Sequence, residues 1–311
     1  MQVQEMQMDK STCECCLSDN IGVLGRHSGY IHLVCNDCRF EYFVHEGPAT
    51  TSRLFEDDAD YADDLAVSGN YHDLLQWPHL VALKYLKTRK KDTPQILDVG
   101  CFNGFFVKKL CDMGHDACGI DFNKKAIAYG RARYGLAKRI AVKDINELVH
   151  DDKSFDVITL FDVIEHVEKP RELLLRLKGL LREGGVLILS TPNNDMVWRP
   201  ALDYPPHHLS RYTPVTIAGF LANVGYQKMQ QIEQMNIFNL ARNYTGSLCR
   251  DEVDKSLRGG RLRSGPAMNI VRTSLNRLRR ACYFVSYPLD RLLYFLGLRY
   301  IGQVIICRKL G

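Results

Sequence analysis

The sequence predicts an α/β chain: a doubly wound, mostly parallel sheet, with a small cysteine module before it and a helical insertion before its last strand. Three observations carry that reading. An apolar strand runs into Asp98-Val-Gly100-Cys-Phe-Asn103-Gly104 and then into a helical pattern. Apolar runs alternate with helical periodicity over residues 93–235, which predicts helices on both faces of a parallel sheet. Two Cys-x-x-Cys pairs, Cys13/Cys16 and Cys35/Cys38, precede that core.

Composition sets the bounds. A chain of 311 residues with ordinary apolar and charged fractions has room for one main domain with appendages. A net charge of +5 is too mild to mark a nucleic-acid binder, and none is expected. No basic-then-apolar leader opens the sequence, so a cytoplasmic location is expected. The odd count of eleven cysteines fits a reducing compartment in which some thiols serve a metal.

Residues 1–10 are polar and read as a disordered tail. Residues 11–46 read as a zinc-ribbon-like module. Its two cysteine pairs flank Ile21–Leu33, glycine-punctuated and partly alternating like a short hairpin. Four thiolates suit a closed tetrahedral site with no place for a substrate, so the expected zinc is structural. Cys15 leaves the ligand set open, because it can replace Cys13 or Cys16; unpaired structural cysteines are the other reading.

Residues 47–92 read as a helical cap or linker. The acidic run 56–64 is expected in solvent. Tyr71 to Thr88 then shows helical spacing, with Pro78 as a kink or boundary. Tyr61, Tyr71, Trp77 and His79 are candidates to line a pocket, with plain packing as the alternative role.

Within the core, residues 93–235, the predicted strands are Gln95–Gly100, Ala117–Asp121, Arg139–Val142, Phe155–Phe161, Val186–Thr191 and Tyr226–Met235. The predicted helices are Phe105–Met113, Lys124–Tyr134 and Arg171–Leu181. The last carries leucines on one side and charges opposite. A further helix starts at Thr213-Pro214, a cap followed by proline, and closes at Gly225. Residues 236–300 form a basic and apolar helical insertion. It is too broken to span a bilayer. It reads either as a helical hairpin on the core, serving as pocket wall or oligomer contact, or as an interfacial element on anionic lipid. Residues 301–311 supply the final strand, Gln303–Arg308.

Gly100 and Gly104 lack a Cβ and so let a ligand approach the backbone. Asp121, at the end of the second strand, is placed to accept both hydroxyls of a ribose. A dinucleotide site requires G-x-G-x-x-G; here Phe102 stands at the middle glycine and the third is missing, so a phosphate cradle is poorly supported.

The wording Leu97-Asp-Val-Gly-Cys-Phe-Asn-Gly104 instead resembles motif I of class I S-adenosylmethionine-dependent methyltransferases. The resemblance continues in order through Asp144-Ile145, Phe155 to Val167 and Leu181 to Pro192, and covers roughly residues 94–235. It implies a Rossmann-like methyltransferase fold of seven strands with the last antiparallel. It also implies S-adenosylmethionine as cofactor. The Gly100 and Gly104 backbone would then lie near the methionine moiety with Asp98 supporting the loop, Asp121 would take the ribose, Asp144 with Ile145 the adenine, Cys101, Asn103 and Phe122 would be further donor-binding residues, and Phe161 would sit near the reacting centre. Asp98 and Asp144 also read as turn or helix caps.

Two constellations can act on an acceptor. Asp162, Glu165 and His166, spaced i, i+3, i+4, share a face if the turn is helical. They are similar to a set that carries a divalent ion in ubiquinone-biosynthesis O-methyltransferases, and magnesium there can lower the pKa of an acceptor oxygen. The plainer reading is that they cap and pack the turn. The second is the loop Asp203-Tyr-Pro-Pro-His207-His208-Leu-Ser-Arg211-Tyr212. A neutral histidine suits a base near pH 7, and the family's P-x-H pattern matches His208 better than His207. The expected activity is methyl transfer to a small-molecule, saccharide or lipid-linked acceptor, chiefly at oxygen. Sugar C-methylation, a nicotinamide dehydrogenase, and a non-catalytic module docking RNA or a partner stay open.

Overall fold

The computed structural model describes residues 12–47, 75–89, 93–144, 155–197, 199–200, 203–234 and 301–311, and a few positions between 288 and 296. The expected tail, the acidic run, Tyr61, Tyr71, Ile145 and most of the insertion lie outside them.

The module holds three strands, β1 (Ile21–His27), β2 (Tyr30–Cys35) and β3 (Glu41–His45), where the sequence predicted one hairpin. His27 pairs with Tyr30 across Ser28 and Gly29, both at positive φ (48° and 82°), the two-residue turn that matches strand twist.

The core begins with α1 (Trp77–Thr88), whose first turn contains Pro78. Proline is harmless there, so Pro78 is a boundary and not a kink. Then come β4 (Gln95–Val99), α2 (Phe105–Asp112), β5 (Asp116–Asp121), α3 (Lys124–Tyr134), β6 (Ile140–Val142), β7 (Phe155–Phe161), α4 (Pro170–Leu180), β8 (Leu181–Pro192), β9 (Ser210–Arg211), α5 (Pro214–Asn223), β10 (Tyr226–Gln234) and β11 (Gly302–Lys309). Local chemistry sets several of these ends. The Asn123 side chain accepts from the Ala126 amide to start α3, and Gly135 closes it at φ 69°. Thr213 accepts from the Thr216 amide to start α5. In α4 the apolar stripe Leu173, Leu174, Leu177 and Leu180 is buried, while Glu172 and Arg176 pair on the outside.

Seven strands form the main sheet in the order β10-β11-β8-β7-β4-β5-β6. All neighbours are parallel except β11, which runs antiparallel to both β8 and β10. After β4 the chain builds outward through β5 and β6, then returns to β7 on the other side of β4. That reversal opens a crevice at the carboxyl ends of β4 and β7, where ligands bind in such sheets.

A second sheet, β1-β2-β3-β9, contains a strand that the core donates to the module. Neither β3 nor β9 was expected from sequence. Among the described residues no helix is long and apolar enough to cross a membrane.

Candidate active site and four-thiol centre

The motif-I turn sits between β4 and α2 and is pinned by Asp121. One Asp121 carboxylate oxygen accepts from the Phe102 amide at 2.8 Å and the other from the Asn123 amide at 2.8 Å. Each oxygen keeps a second lone pair, so the group can still accept from two ribose hydroxyls. Burial raises the Asp121 pKa, and the two backbone donors pull the other way. Phe102, at the position of the missing glycine, is held in the left-handed region at φ 49°. That conformation costs a non-glycine residue about 1–2 kcal/mol. The surrounding hydrogen bonds must therefore hold it.

The two motif glycines also answer to packing within the protein. A Cβ on Gly100 would lie 2.4 Å from Val163 Cγ2, and one on Gly104 would lie 2.9 Å from both Leu136 and Ile140. Both glycines adopt positive φ and meet the protein's own side chains, so packing already requires them without any ligand. Gly130, absent from the sequence reading, matters as much: its Cβ would collide with the Asn103 carbonyl at 1.9 Å. Glycine is what lets α3 lie against the turn.

Asp98 is buried beside the turn, and its carboxylate accepts from the Thr159 hydroxyl at 2.6 Å across the β4/β7 register. Burial pushes its pKa up to about 7, against the hydrogen bond and with added repulsion from Asp121. Asn103 is buried and accepts from the Phe105 amide, a local turn bond. Cys101 is buried, and burial next to Asp98 and Asp121 raises its thiol pKa well above normal. Phe122 is 43% exposed at the mouth of the turn, and Asp144 is exposed just beyond β6. Phe161 ends β7 and packs edge-on against Phe106 at 5.6 Å and His79 at 5.2 Å. His79 also stacks on Phe106 at 4.5 Å and accepts from the Gln76 amide, so it packs and caps.

On the acceptor side, a short turn (Ile164–His166) follows β7, and the loop 203–212 folds over it. His166 Nδ1 meets the His207 carbonyl, the Leu209 amide donates to the Glu165 carbonyl at 2.7 Å, and the His166 and His208 rings meet edge-on at 4.7 Å. His208 Nδ1 is 2.7 Å from Asp203 Oδ1. With that nitrogen donating, Nε2 carries the lone pair, the arrangement of a histidine base oriented by a carboxylate. Burial raises the Asp203 pKa, but His208, Arg199 and Arg211 outweigh it and the net shift is downward. Sequence placed Asp203 in the loop without a role. Burial lowers the His166 pKa to about 4, so it is neutral near pH 7.

The magnesium expectation does not fit. Asp162 is engaged by Ser190, whose hydroxyl donates to it at 2.9 Å, and is not among the donors that converge. The donors that do converge are Glu165, His166 and His208, within 4.8 Å of one another. Two imidazoles and one carboxylate are not the oxygen-rich set that magnesium prefers. Burial raises the Glu165 pKa well above normal; one oxygen accepts from Thr191 at 3.1 Å and the other has no hydrogen-bond partner among the described residues. His166 and the backbone of Glu165 tie the turn to the loop, in line with the packing role.

The second centre is in the module. Cys13, Cys16, Cys35 and Cys38 bring their sulfurs within 4.8 Å of one another, and the Cys13–Cys38 and Cys16–Cys35 pairs are each 3.6 Å apart. A disulfide is about 2.05 Å. A tetrahedron with metal–sulfur bonds of about 2.3 Å has an edge near 3.8 Å. The four sulfurs therefore fit a tetrahedral thiolate site. Burial raises the Cys16 and Cys38 pKa values, so a cation among the sulfurs would be needed to hold those two as thiolates. Cys15 is not one of the four mutually close sulfurs, although its thiol hydrogen-bonds to Cys13 beside them. It is buried, and its carbonyl accepts from Arg171 and Asn223 of the core.

Comparison with known proteins matches residues 71–231 to the methyltransferase domain family. The chain belongs to that family, in its class I, S-adenosylmethionine-dependent form. It is 27% identical over 169 residues to a probable S-adenosylmethionine-dependent methyltransferase of Mycolicibacterium smegmatis, covering 52% of this chain and 64% of that one. It is 31% identical over 107 residues to the ubiquinone biosynthesis O-methyltransferase of Glaesserella parasuis, covering 32% and 45%. The chain thus spans about half to under two thirds of the length of these relatives. Among solved structures, the [4+2]-cyclase SpnF superposes with a TM-score of 0.53 at 17% identity, over 85% of this chain and 99% of that one. The phosphoethanolamine N-methyltransferase 2 of Haemonchus contortus, in complex with S-adenosyl-L-methionine, gives 0.52 at 17% identity, over 87% and 62%. At these identities the likeness is one of fold.

Proposed function

We propose that the protein transfers the methyl group of S-adenosylmethionine to an oxygen of a small-molecule, saccharide or lipid-linked acceptor. One observation carries the choice of chemistry: the 2.7 Å contact between His208 Nδ1 and Asp203, on a loop that follows the sheet's carboxyl edge. The kinship with O-methyltransferases of ubiquinone biosynthesis supports the choice of oxygen.

In this reading Gly100, Cys101, Asn103 and Gly104 carry the backbone around the methionine moiety, and Asp98 supports the turn. Asp121 accepts the ribose hydroxyls beside Phe122, and Asp144 with Ile145 meets the adenine. His208 Nε2 takes the acceptor's proton while Asp203 steadies the resulting imidazolium. The acceptor oxygen attacks the methyl carbon in line, the carbon–sulfur bond breaks, and its electron pair stays on sulfur. Phe161 and the buried turn keep water from the reacting atoms, so alignment supplies most of the acceleration. Zinc in the four-thiol centre is structural, because all four positions of the tetrahedron are taken.

Isotope-labelled donor incubated with the protein and a fractionated lysate tests this reading. Label should appear in a low-molecular-weight or glycan fraction, as an alkali-stable ether. Label on carbon would favour sugar C-methylation. If calorimetry finds no binding of either S-adenosylmethionine or S-adenosylhomocysteine, the reading fails.

A further inference from the structure

The module and the core exchange more than apolar contacts. Cys15 and Cys38 do face the core through ordinary packing partners: Phe40 meets Tyr212 at 5.3 Å and Phe220 at 5.8 Å, and Thr216 donates to the Cys38 carbonyl at 3.5 Å. The other edge of the module is built differently. There β3 pairs with β9, with Glu41 opposite Arg211. The Phe43 amide donates to the Leu209 carbonyl at 2.8 Å while the Leu209 amide donates to Glu165 at 2.7 Å. Leu209, the neighbour of His208, is clamped between the module on one side and the core turn on the other.

Charged side chains continue the same connection. Glu41 binds His32 Nε2 at 2.9 Å and the Asn194 amide at 2.9 Å, and faces Arg211 at 3.9 Å. Arg211 is buried, with its guanidinium 4.7 Å from the Phe43 ring and 4.6 Å from the Tyr204 ring. It donates to the Asp203 carbonyl at 3.0 Å and lies 3.6 Å from the Asp203 carboxylate. Asp203 in turn holds His208. Burying charges costs desolvation energy that apolar packing avoids, so a buried relay yields mainly a fixed orientation. The planar guanidinium stacked between two rings is suited to that.

We propose that the cysteine module is the scaffold of the acceptor loop: through the relay His32–Glu41–Arg211–Asp203 it sets the position of His208, which makes Glu41 and Arg211 positioning residues for the base. The proposal rests on the reading of His208 as base. It gives the four-thiol centre a task in the reaction without giving its metal any contact with substrate.

Glu41→Gln and Arg211→Ala, made in the full-length, metal-loaded chain, test it. Four quantities are compared with the parent: S-adenosylhomocysteine affinity, amide exchange over residues 203–212, the side-chain nitrogen resonances of His208, and label transfer to the lysate fraction. Donor-product affinity should stay within about twofold, because the relay lies away from the motif-I turn. Loop exchange should quicken by about tenfold or more as the clamp loosens. The His208 resonances should move, and turnover at saturating donor should fall about tenfold or more. Glu41→Gln preserves size but turns one of the two acceptor oxygens into a donor and removes the charge facing Arg211, so it keeps the test decisive if Arg211→Ala does not fold. Unchanged loop exchange and unchanged His208 resonances in a folded variant overturn the proposal. A parent protein that binds no donor product and transfers no label instead overturns the methyl-transfer reading, while the exchange and resonance data still decide whether the module holds the loop.

Discussion

Replacing Asp121 by alanine removes the one side chain that serves the backbone turn and the proposed ribose site together. In the parent its two oxygens each accept a backbone amide at 2.8 Å. Two ribose hydroxyls bound to the remaining lone pairs are charge-assisted hydrogen bonds, worth about 1.5–3 kcal/mol each. Asp121 is 7% exposed and its pKa is raised by burial, so part of that energy goes to keeping it ionised. A net loss of about 3 kcal/mol, or roughly a hundredfold weaker binding, is therefore the expected magnitude. Loss of the Phe102 anchor frees a left-handed residue to relax, which adds to the effect. Calorimetry with S-adenosylhomocysteine measures the total. Repeating it with the 2′-deoxy analogue separates the ribose contact from collapse of the turn, since the missing hydroxyl should weaken binding to the parent and hardly matter to the variant. If the parent binds both compounds alike, or if Asp121→Ala loses less than about threefold, the assignment of Asp121 to the ribose is wrong.

Other expectations follow from the same geometry. Asp98 titrates at about 7 in the folded chain, above the ordinary 3.8. The folded state therefore keeps a proton that the unfolded chain has lost, and stability falls as pH rises from about 4 through 7. Thermal midpoints across that window should decline less in Asp98→Asn, and parallel curves would refute the shift. His208→Ala should lower turnover by about 10²–10⁴ while leaving donor affinity nearly unchanged; an equal loss of donor binding would contradict its role as base. Elemental analysis should find one zinc per chain, and Cys35→Ser should lose it and lower the thermal midpoint, because metal affinity in such a site is folding energy. A serine variant as stable as the parent would leave the four sulfurs without a metal.

The sequence by itself determined the sheet and the donor turn. The alternation of apolar strands and helices, the caps at Asn123 and Thr213, and the spacing from Gly100 to Asp121 are all short-range signals. They depend on residues within one or two turns of each other, and the observed core elements start and end within a few residues of the predicted bounds except at β8, which begins at Leu181 rather than Val186, and at α1, which begins at Trp77 where helical spacing was read from Tyr71. The four-cysteine spacing was equally legible as a metal pattern, though only the tertiary structure shows which four sulfurs cluster mutually, with Cys15 beside them. What the tertiary structure decided lies between distant segments. Glu41 pairs with Arg211, and Asn194 with Glu41, across separations for which no local period exists. A packing reason for the motif glycines also came only from the structure, because the atoms that would collide with a Cβ, on Val163, Leu136 and Ile140, reach the turn only through the fold. Asp162 and His208 exchanged places beside Glu165 and His166 for a similar reason: i, i+3, i+4 spacing sets a face only while a helix continues, and here the turn is three residues long. Local sequence fixes where the backbone hydrogen-bonds to itself, whereas the contacts that hold a base in position depend on burial shared by segments far apart in the chain.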